Sequence, residues 1–277
     1  MMMRSRSSVF AIVLLSICML IVPISALTGG PDTFGYRFID SNSGGPAINW
    51  IDISTSGTPI LLGQDDAVSA NIPLNFHFNY YGVDNTQIAI SNNGLAFPGS
   101  GSGSGEYINE PIATSSVHGF IAPYWDDLVT VNTGSGIYYQ TLGTAPNRMF
   151  VVEWKNNDHF GSTSPNDNGI TFEAILYEGS NNIKFQYLTV YFGDSEYPGN
   201  DYGGSATVGI KSPGTDGLQY SYNQPIINPN LAILFQFPAG TTPSVRGVPE
   251  FPSPFLPAVT IIGFLGAVLF IQRTREH

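Results

Sequence analysis

Two adjacent carboxylates, Asp126 and Asp127, follow an aromatic run and are the first side chains in the sequence that could do chemistry. Carboxylate oxygens bind Ca²⁺ when other oxygens converge on the same point, but the ion takes about six to eight ligands and this pair supplies few of them. The pair could equally be a turn after a strand, in which one Asp accepts backbone N–H bonds and the other faces water. We favour the turn and keep Asp126 and Asp127 as candidate calcium ligands.

A second candidate site is an acidic and aromatic loop near residue 200. Its tyrosines could stack on sugars or bind a protein partner, because an exposed phenol ring has both an apolar face and a polar hydroxyl group. The alternative is a solvated loop whose tyrosines cover the edge of the fold. The residues of this predicted ligand-binding loop are Tyr191, Asp194, Tyr197, Asp201 and Tyr202.

Catalytic patterns are missing from the sequence, so we predict no catalytic residue. His77, His118 and His159 do not share the spacing of a zinc site. Glu153 with Glu173 or Glu178 could be imagined as the acid and nucleophile of a glycosidase. Carboxylates on the outer faces of strands are usually only solvated, and we expect that here. No cofactor is predicted, apart from calcium as a candidate.

The elements that must position these residues are β-strands. Residues 74–80 alternate without a fault, which places Leu74, Phe76, Phe78 and Tyr80 on one face and Asn75, His77 and Asn79 on the other. Residues 170–177 and 183–187 alternate in the same way around a turn and predict a hairpin. Seven further strands are expected at 35–39, 48–53, 87–90, 136–140, 148–154, 206–210 and 231–237. The sequence therefore predicts an all-β fold, an antiparallel β-sandwich of about nine or ten strands over residues 27–240.

Charge and composition exclude one class of partner. The chain carries 10 Lys+Arg against 21 Asp+Glu, a net charge of -11, which repels nucleic-acid phosphates. Nucleic acid is therefore not expected as a partner. The 42% of hydrophobic residues and 13% of aromatic residues exclude a disordered chain.

The first 26 residues have the layout of a secretory signal peptide. Arg4 and Arg6 precede an apolar run from Val9 to Val22, and the small residues Ser25 and Ala26 follow. An uncleaved N-terminal anchor is the alternative. Since the single cysteine, Cys18, lies in this segment, the exported chain would have no disulfide.

The other end of the chain predicts a membrane anchor. Residues 255–271 contain no charge and are just long enough to cross a thin bilayer. The membrane is therefore a predicted partner. Residues 272–277 include Arg273 and Arg275 and predict a basic cytoplasmic tail, so the β domain would lie outside. Residues 241–254 form a linker rich in Pro, Gly and Thr.

The order of short motif, span and basic tail resembles a PEF-CTERM sorting signal, the archaeal relative of the PEP-CTERM signals. Pro249, Glu250 and Phe251 stand where the sorting motif would be. The resemblance implies that an archaeosortase-type transpeptidase cuts near the motif and transfers the chain to a surface anchor. An ordinary single-pass anchor after a proline-rich stalk is the alternative.

Several stretches of the body resemble the nidogen-like (NIDO-type) extracellular domain and its prokaryotic relatives. They are the aromatic run at 121–128, the strands at 136–140 and 150–154, the hairpin at 172–187, and the upstream segments 35–41 and 91–94. The resemblance covers most of residues 34–237 and implies an extracellular module of adhesive or matrix-like surface proteins.

These observations together predict an exported, membrane-anchored cell-surface protein that acts as a non-catalytic binding or adhesion module. Its partner would be an envelope glycan or another surface protein. Two alternatives remain: a structural component of the cell envelope or matrix that assembles with itself, and a secreted glycoside-active enzyme.

Overall fold

The computed structural model describes residues 27–42, 44–99, 105–131, 134–162 and 169–240. The predicted signal peptide, sorting motif, span and tail lie outside the described residues. Within the described ranges, no helix combines the length and apolar character that crossing a bilayer requires.

Two antiparallel sheets build the body. The first runs from edge to edge as β1 (Thr28–Gly29), β2 (Arg37–Asp40), β15 (Ala232–Gln236), β12 (Ile183–Thr189), β11 (Ile170–Tyr177), β10 (Met149–His159), β9 (Gly136–Leu142) and β3 (Thr58–Ile60). An additional short strand, β8 (Leu128–Val129), pairs with β10. The second runs as β14 (Gly217–Tyr222), β13 (Thr207–Lys211), β7 (Phe120–Trp125), β6 (Ala96–Pro98), β5 (Val83–Ile90) and β4 (Ile72–Tyr80).

The all-β fold with two antiparallel sheets is confirmed, but the strand count is not. Fifteen strands are present in the described residues, more than the predicted nine or ten. Several of the additional strands have only two or three residues. Such short strands are missed because a stretch of two or three residues cannot show alternation.

Strand β4 shows how alternation directs residues to the core. Leu74, Phe76 and Phe78 are buried in the main core as predicted, together with Tyr80. Asn79 was expected to face water and is buried instead. The following turn closes over it, since Asn79 accepts a hydrogen bond from the Gly82 N–H.

The hairpin of β11 and β12 carries much of the core. Residues 178–182 form its turn, as predicted, and Phe172 of β11 points into the core. The Phe172 ring stacks on Trp154 of β10 with centroids 5.0 Å apart. The Trp154 indole N–H also donates to the carbonyl of Ser91, so one side chain of the first sheet reaches the turn after β5 of the second.

Residues 47–57 form a strap across the outer face of the first sheet, which we call the first strap. The predicted strand at 48–53 is wrong, because this segment has no backbone partner strand. Its amide groups bind side chains of the sheet instead: Asn49 N–H donates to Gln186 Oε1 (2.5 Å), Ile51 N–H to Glu173 Oε1 (3.4 Å) and Ile53 N–H to Glu153 Oε2 (2.9 Å).

The first strap removes Glu153 and Glu173 from solvent. Glu153 is 1% exposed and Glu173 is 0% exposed, so the expectation that these carboxylates are solvated is wrong. The burial is completed by Ile53, which packs on Val151 and Ile175 of the same outer face.

A second strap, residues 105–117, covers the outer face of the other sheet. Ile112 is buried there in a cluster with Phe120 and Trp125. Its N–H donates to Gln219 Oε1 (3.0 Å), and its carbonyl accepts from Lys211 Nζ (2.6 Å). Each broad face of the sandwich therefore has a chain segment lying over it.

The free edge of β4 is closed by side chains from the first sheet. Thr141 Oγ1 donates to the carbonyl of Leu74 (3.0 Å), and the Arg148 guanidinium donates to the carbonyl of Asn75. Asn181 Oδ1 accepts from the N–H of Asn79 (2.8 Å). These bonds occupy backbone groups that an edge strand would otherwise offer to another chain.

Candidate functional site

Strand direction brings both predicted sites to one end of the sandwich, which we call the site end. β7 finishes there at Trp125, β10 at His159 and β12 at Thr189. The segments that follow these strands, including residues 126–127 and 190–204, therefore lie at the same end. The opposite end, which we call the tether end, holds the β11–β12 turn and the close of β15, where the Phe237 N–H donates to Asn182 Oδ1.

Asp126 is buried and joins the two predicted sites. Its Oδ2 accepts from Ser205 Oγ (2.6 Å), which follows the tyrosine-containing loop. Its Oδ1 accepts from the N–H of Asp127 (3.0 Å) and lies 3.5 Å from His159 Nε2. Both carboxylate oxygens are therefore engaged in holding the loops together.

His159 is the third member of this joint. Its ring packs edge-on against Phe192 with centroids 5.7 Å apart. Burial alone would lower the pKa of His159, but the bond to Asp126 and the neighbouring charges outweigh it, so the pKa is raised above its usual value. The protonated ring is thus favoured beside Asp126.

Asp127 lies beside two further acids that the sequence interpretation missed. One carboxylate oxygen from each of Asp65, Asp66 and Asp127 lies within 4.8 Å of the others. Burial raises the pKa of Asp127 to about 6; His159 opposes this, while Asp66 and Asp65 add to it. Three such oxygens could contribute to a cation site, but Ca²⁺ needs about six to eight ligands.

Sequence spacing gave no direct signal for this acidic trio. Asp65 and Asp66 lie on the loop after β3, far from Asp127 along the chain. The trio forms because that loop bonds to the segment after β8, with the Thr130 N–H donating to Gln64 O (3.3 Å) and the Gly63 N–H to Thr130 O (2.9 Å). The adjacent Asp65–Asp66 pair was the only available hint.

The structure separates the acids from the tyrosines in the predicted ligand-binding loop. Asp194 and Asp201 are buried: Asp201 Oδ1 accepts from the Phe192 N–H (2.8 Å), and Asp194 Oδ1 accepts from the Glu196 N–H (2.7 Å). The three tyrosines are exposed at the surface, and we call Tyr191, Tyr197 and Tyr202 the tyrosine surface. The acids therefore shape the loop, and the aromatic rings face outward.

Two of these rings form a pair beside a groove. Tyr191 is 51% exposed and Tyr202 is 38% exposed, with ring centroids 6.2 Å apart. Tyr191 also lines a groove of about 570 Å³ at the outer face of the first sheet. The groove offers amine, amide and hydroxyl groups beside an aromatic ring, and its lining comprises Gly134, Lys155, Asn156, Gly169, Thr171, Thr189 and Tyr191.

The carboxylates imagined as a glycosidase pair do not open onto this groove. The first strap lies over Glu153 and Glu173. Glu178 lies at the tether end, where Arg148 donates to both of its carboxylate oxygens and lowers its pKa to about 2. The other imidazoles are dispersed as well, and His77 is an exposed partner of Asp84 (2.7 Å).

Comparison with known proteins gives one match. The model of a family described as NIDO related matches residues 40–241, well over half of the chain. The matched region includes both straps, the acidic trio and the tyrosine surface. No curated protein and no solved structure matches the chain.

Proposed function

We propose a function that starts from one established fact: the chain belongs to the NIDO-related family. The nidogen-like domain is typically extracellular, which is consistent with an exported protein. On this basis the protein is a surface-anchored, non-catalytic binding or adhesion module. Its ligand is an envelope glycan or another surface protein, bound at the site end.

The observation that carries this proposal is the position of Tyr191. Its exposed ring belongs to the pair with Tyr202 and also lines the groove. A flat aromatic ring beside hydroxyl and amide groups suits a saccharide, because the ring stacks on the apolar face of a sugar while the polar groups bind its hydroxyls. Buried Asp201 and Asp194 hold the backbone of the loop that carries the ring.

Binding at the site end is favoured over assembly through the outer faces or the β4 edge, because these surfaces are covered. The straps lie over both outer faces, and side chains of Thr141, Arg148 and Asn181 occupy the edge of β4. Edge-to-edge assembly needs unpaired strand edges. A matrix component built by strand pairing at the β4 edge is therefore the weaker candidate.

The anchoring part of the proposal concerns residues outside the described ranges. Residues 1–26 direct export, and Pro249, Glu250 and Phe251 are the motif at which an archaeosortase-type transpeptidase cuts the chain of an archaeal cell-surface protein. Gly240, at which the described chain ends, follows β15 at the tether end. The described chain therefore ends away from the tyrosine surface.

Binding is tested with the full-length chain in detergent against immobilised polysaccharide and protein fractions of the cell envelope. The double variant Tyr191→Ala with Tyr202→Ala should weaken binding by about tenfold or more, as expected for the loss of two anchor residues. Tyr107→Ala is the matched control, since Tyr107 is 46% exposed and lies on the second strap. Equal binding by both variants, or no binding partner for the unaltered chain, would contradict the proposal.

Sorting is tested by the intact mass of the protein recovered from its native membrane fraction, with sequencing of its C-terminal peptide. A chain that ends near residues 249–251 and carries added mass supports transpeptidation. A chain that runs unmodified to His277 shows that residues 255–271 are themselves the anchor.

A further inference from the structure

The first strap is held by a row of side chains that cross three strands. Glu153 of β10 is directly opposite Glu173 of β11, which is directly opposite Gln186 of β12. Directly opposite side chains of antiparallel strands have Cβ atoms about 5 Å apart. Every second backbone N–H of the strap, from Asn49 to Ile53, donates to one member of this row.

Two carboxyl groups therefore face each other under the strap without a paired cation. No salt bridge reaches Glu153 or Glu173 among the described residues. Lys184 Nζ donates to the carbonyl of Ala47 (2.7 Å), and Lys155 Nζ donates to Ser54 Oγ (2.7 Å). Glu173 Oε2 is buried and has no hydrogen-bond partner.

We propose that the first strap is a proton-dependent clasp, which is closed while the Glu153–Glu173 pair carries protons and opens when both carboxyls are ionised. Two neighbouring carboxylates in a buried site repel each other, and each loses hydration. Lifting the strap relieves both costs because it returns the row to water. The opened face then presents Glu153, Glu173 and Gln186, the same row that binds the extended backbone of the strap.

Burial sets the direction of the pH response, and the groups around the pair modify its size. Burial raises the pKa of Glu173 to about 8 and that of Glu153 to about 7. The Gln186 amide, which donates to Glu173 Oε1, and the N–H groups of Ile51 and Ile53 lower these pKa values in part. Lys184 and Lys155 lower them further, while Asp52 on the strap adds a negative charge. The rings of Tyr138 and Tyr177 pack at the same face, and burial raises the pKa of Tyr177.

The sign follows from comparing the closed and open states. Once the strap lifts, the two carboxyls return to a pKa near 4.3, their usual value in water. Since the closed state binds more protons, its advantage is complete below about pH 4.3 and is lost as the pH rises through 7 and 8.

Hydrogen exchange on the full-length chain measures the opening directly. After correction for intrinsic rates, protection of the Asn49, Ile51 and Ile53 amides should fall by about tenfold or more between pH 6 and pH 9. The amide of Ile112, on the second strap, is the internal control, because it donates to the neutral side chain of Gln219 on β14. After the same correction for intrinsic rates, the protection of the Ile112 amide should be unchanged between pH 6 and pH 9.

Variants assign the effect to the carboxyl pair. Glu173→Gln and, separately, Glu153→Gln should reduce the pH response, whereas Glu178→Gln should keep it. The proposal is overturned by strap protection in the unaltered chain that does not depend on pH, or by a Glu173→Gln chain with an unchanged response. If either variant fails to fold, the comparison of the two straps in the unaltered chain still decides the matter.

Discussion

Ser205 donates its hydroxyl hydrogen to Oδ2 of Asp126 across 2.6 Å, although 79 positions separate the two residues. Asp126 follows β7 of the second sheet, and Ser205 closes the loop that carries the tyrosine surface. The bond therefore links the loop to the end of a core strand. His159, from β10 of the first sheet, approaches the same carboxylate at 3.5 Å, so one buried acid ties three segments together.

Asp126→Ala should destabilise the fold by about 1–3 kcal/mol, because it leaves Ser205 and His159 without their buried partner. Chemical denaturation of the full-length chain measures this loss.

The pKa of His159, followed by NMR, should fall in the Asp126→Ala variant because the bond that raises it is gone. The raised pKa of His159 stabilises the fold fully below about pH 6.5. This stabilisation is lost as the pH rises through the pKa that the ring has in the folded chain. An unchanged His159 titration would show that Asp126 does not control the ring.

Gly94 tests the close packing of the turn between β5 and β6. It has φ +70°, and an added Cβ would lie 1.8 Å from the carbonyl oxygen of Tyr124. Gly63 has φ +63° with nothing within 4 Å of an added Cβ. Both alanine variants adopt a strained backbone, at a cost of about 1–2 kcal/mol, but only Gly94→Ala meets a backbone atom. Its loss of unfolding free energy should exceed that of Gly63→Ala by about 2 kcal/mol or more. Equal losses would mean that the turn can relax.

Asp127→Asn tests the acidic trio through its pH dependence. The pKa of Asp127 is raised to about 6, so its ionised form is disfavoured in the folded chain. The unaltered chain therefore loses unfolding free energy progressively as the pH rises from about 4 to about 6. The variant should therefore be more stable than the unaltered chain at pH 7, by less than about 1 kcal/mol since Asp127 is partly solvated. The difference should disappear near pH 4. Melting curves with and without millimolar calcium add a second readout. A calcium-dependent rise in melting temperature that is confined to the unaltered chain would assign the trio to cation binding.

Arg148→Ala tests the protection of the β4 edge. The variant frees the carbonyl of Asn75, and the edge strand gains an unpaired acceptor. Sedimentation velocity of the detergent-solubilised chain should show increased self-association. Arg37→Ala removes the same charge from β2 and is the control. Equal behaviour of the two variants would assign any association to the change in net charge.

Alternation in the sequence could predict the strands but not what lies over them. Positions 74, 76 and 78 share a face in any β-strand, so the core side of β4 follows from the pattern. Residues 48–53 are mainly apolar, as in a strand, and the sequence alone cannot tell whether a neighbouring backbone or a row of side chains satisfies their amides. For the same reason Glu153 and Glu173 were expected in water. Burial of an outer face depends on a segment about 100 residues away in the chain.

Only part of the candidate site could be predicted from the sequence, for a similar reason. The carboxylates at 126–127 and the tyrosine loop each stand out by residue type, but their contact through Ser205 depends on the order of strands in the two sheets. Asp65 and Asp66 joined Asp127 only because the loop after β3 pairs with residue 130. Local patterns carry no information on such long-range contacts.

The placement of β12 beside β15 has a mechanical consequence. Tyr191 follows the close of β12 at one end of the sandwich, whereas the chain leaves β15 toward Gly240 at the other, and the two strands are antiparallel neighbours. Under the proposed function, a pull between a ligand bound beside Tyr191 and an anchor attached beyond Gly240 would load the two strands along their length in opposite directions. Their cross-strand hydrogen bonds would share this shear at the same time rather than break one by one, so we expect the strand pair to resist such a pull.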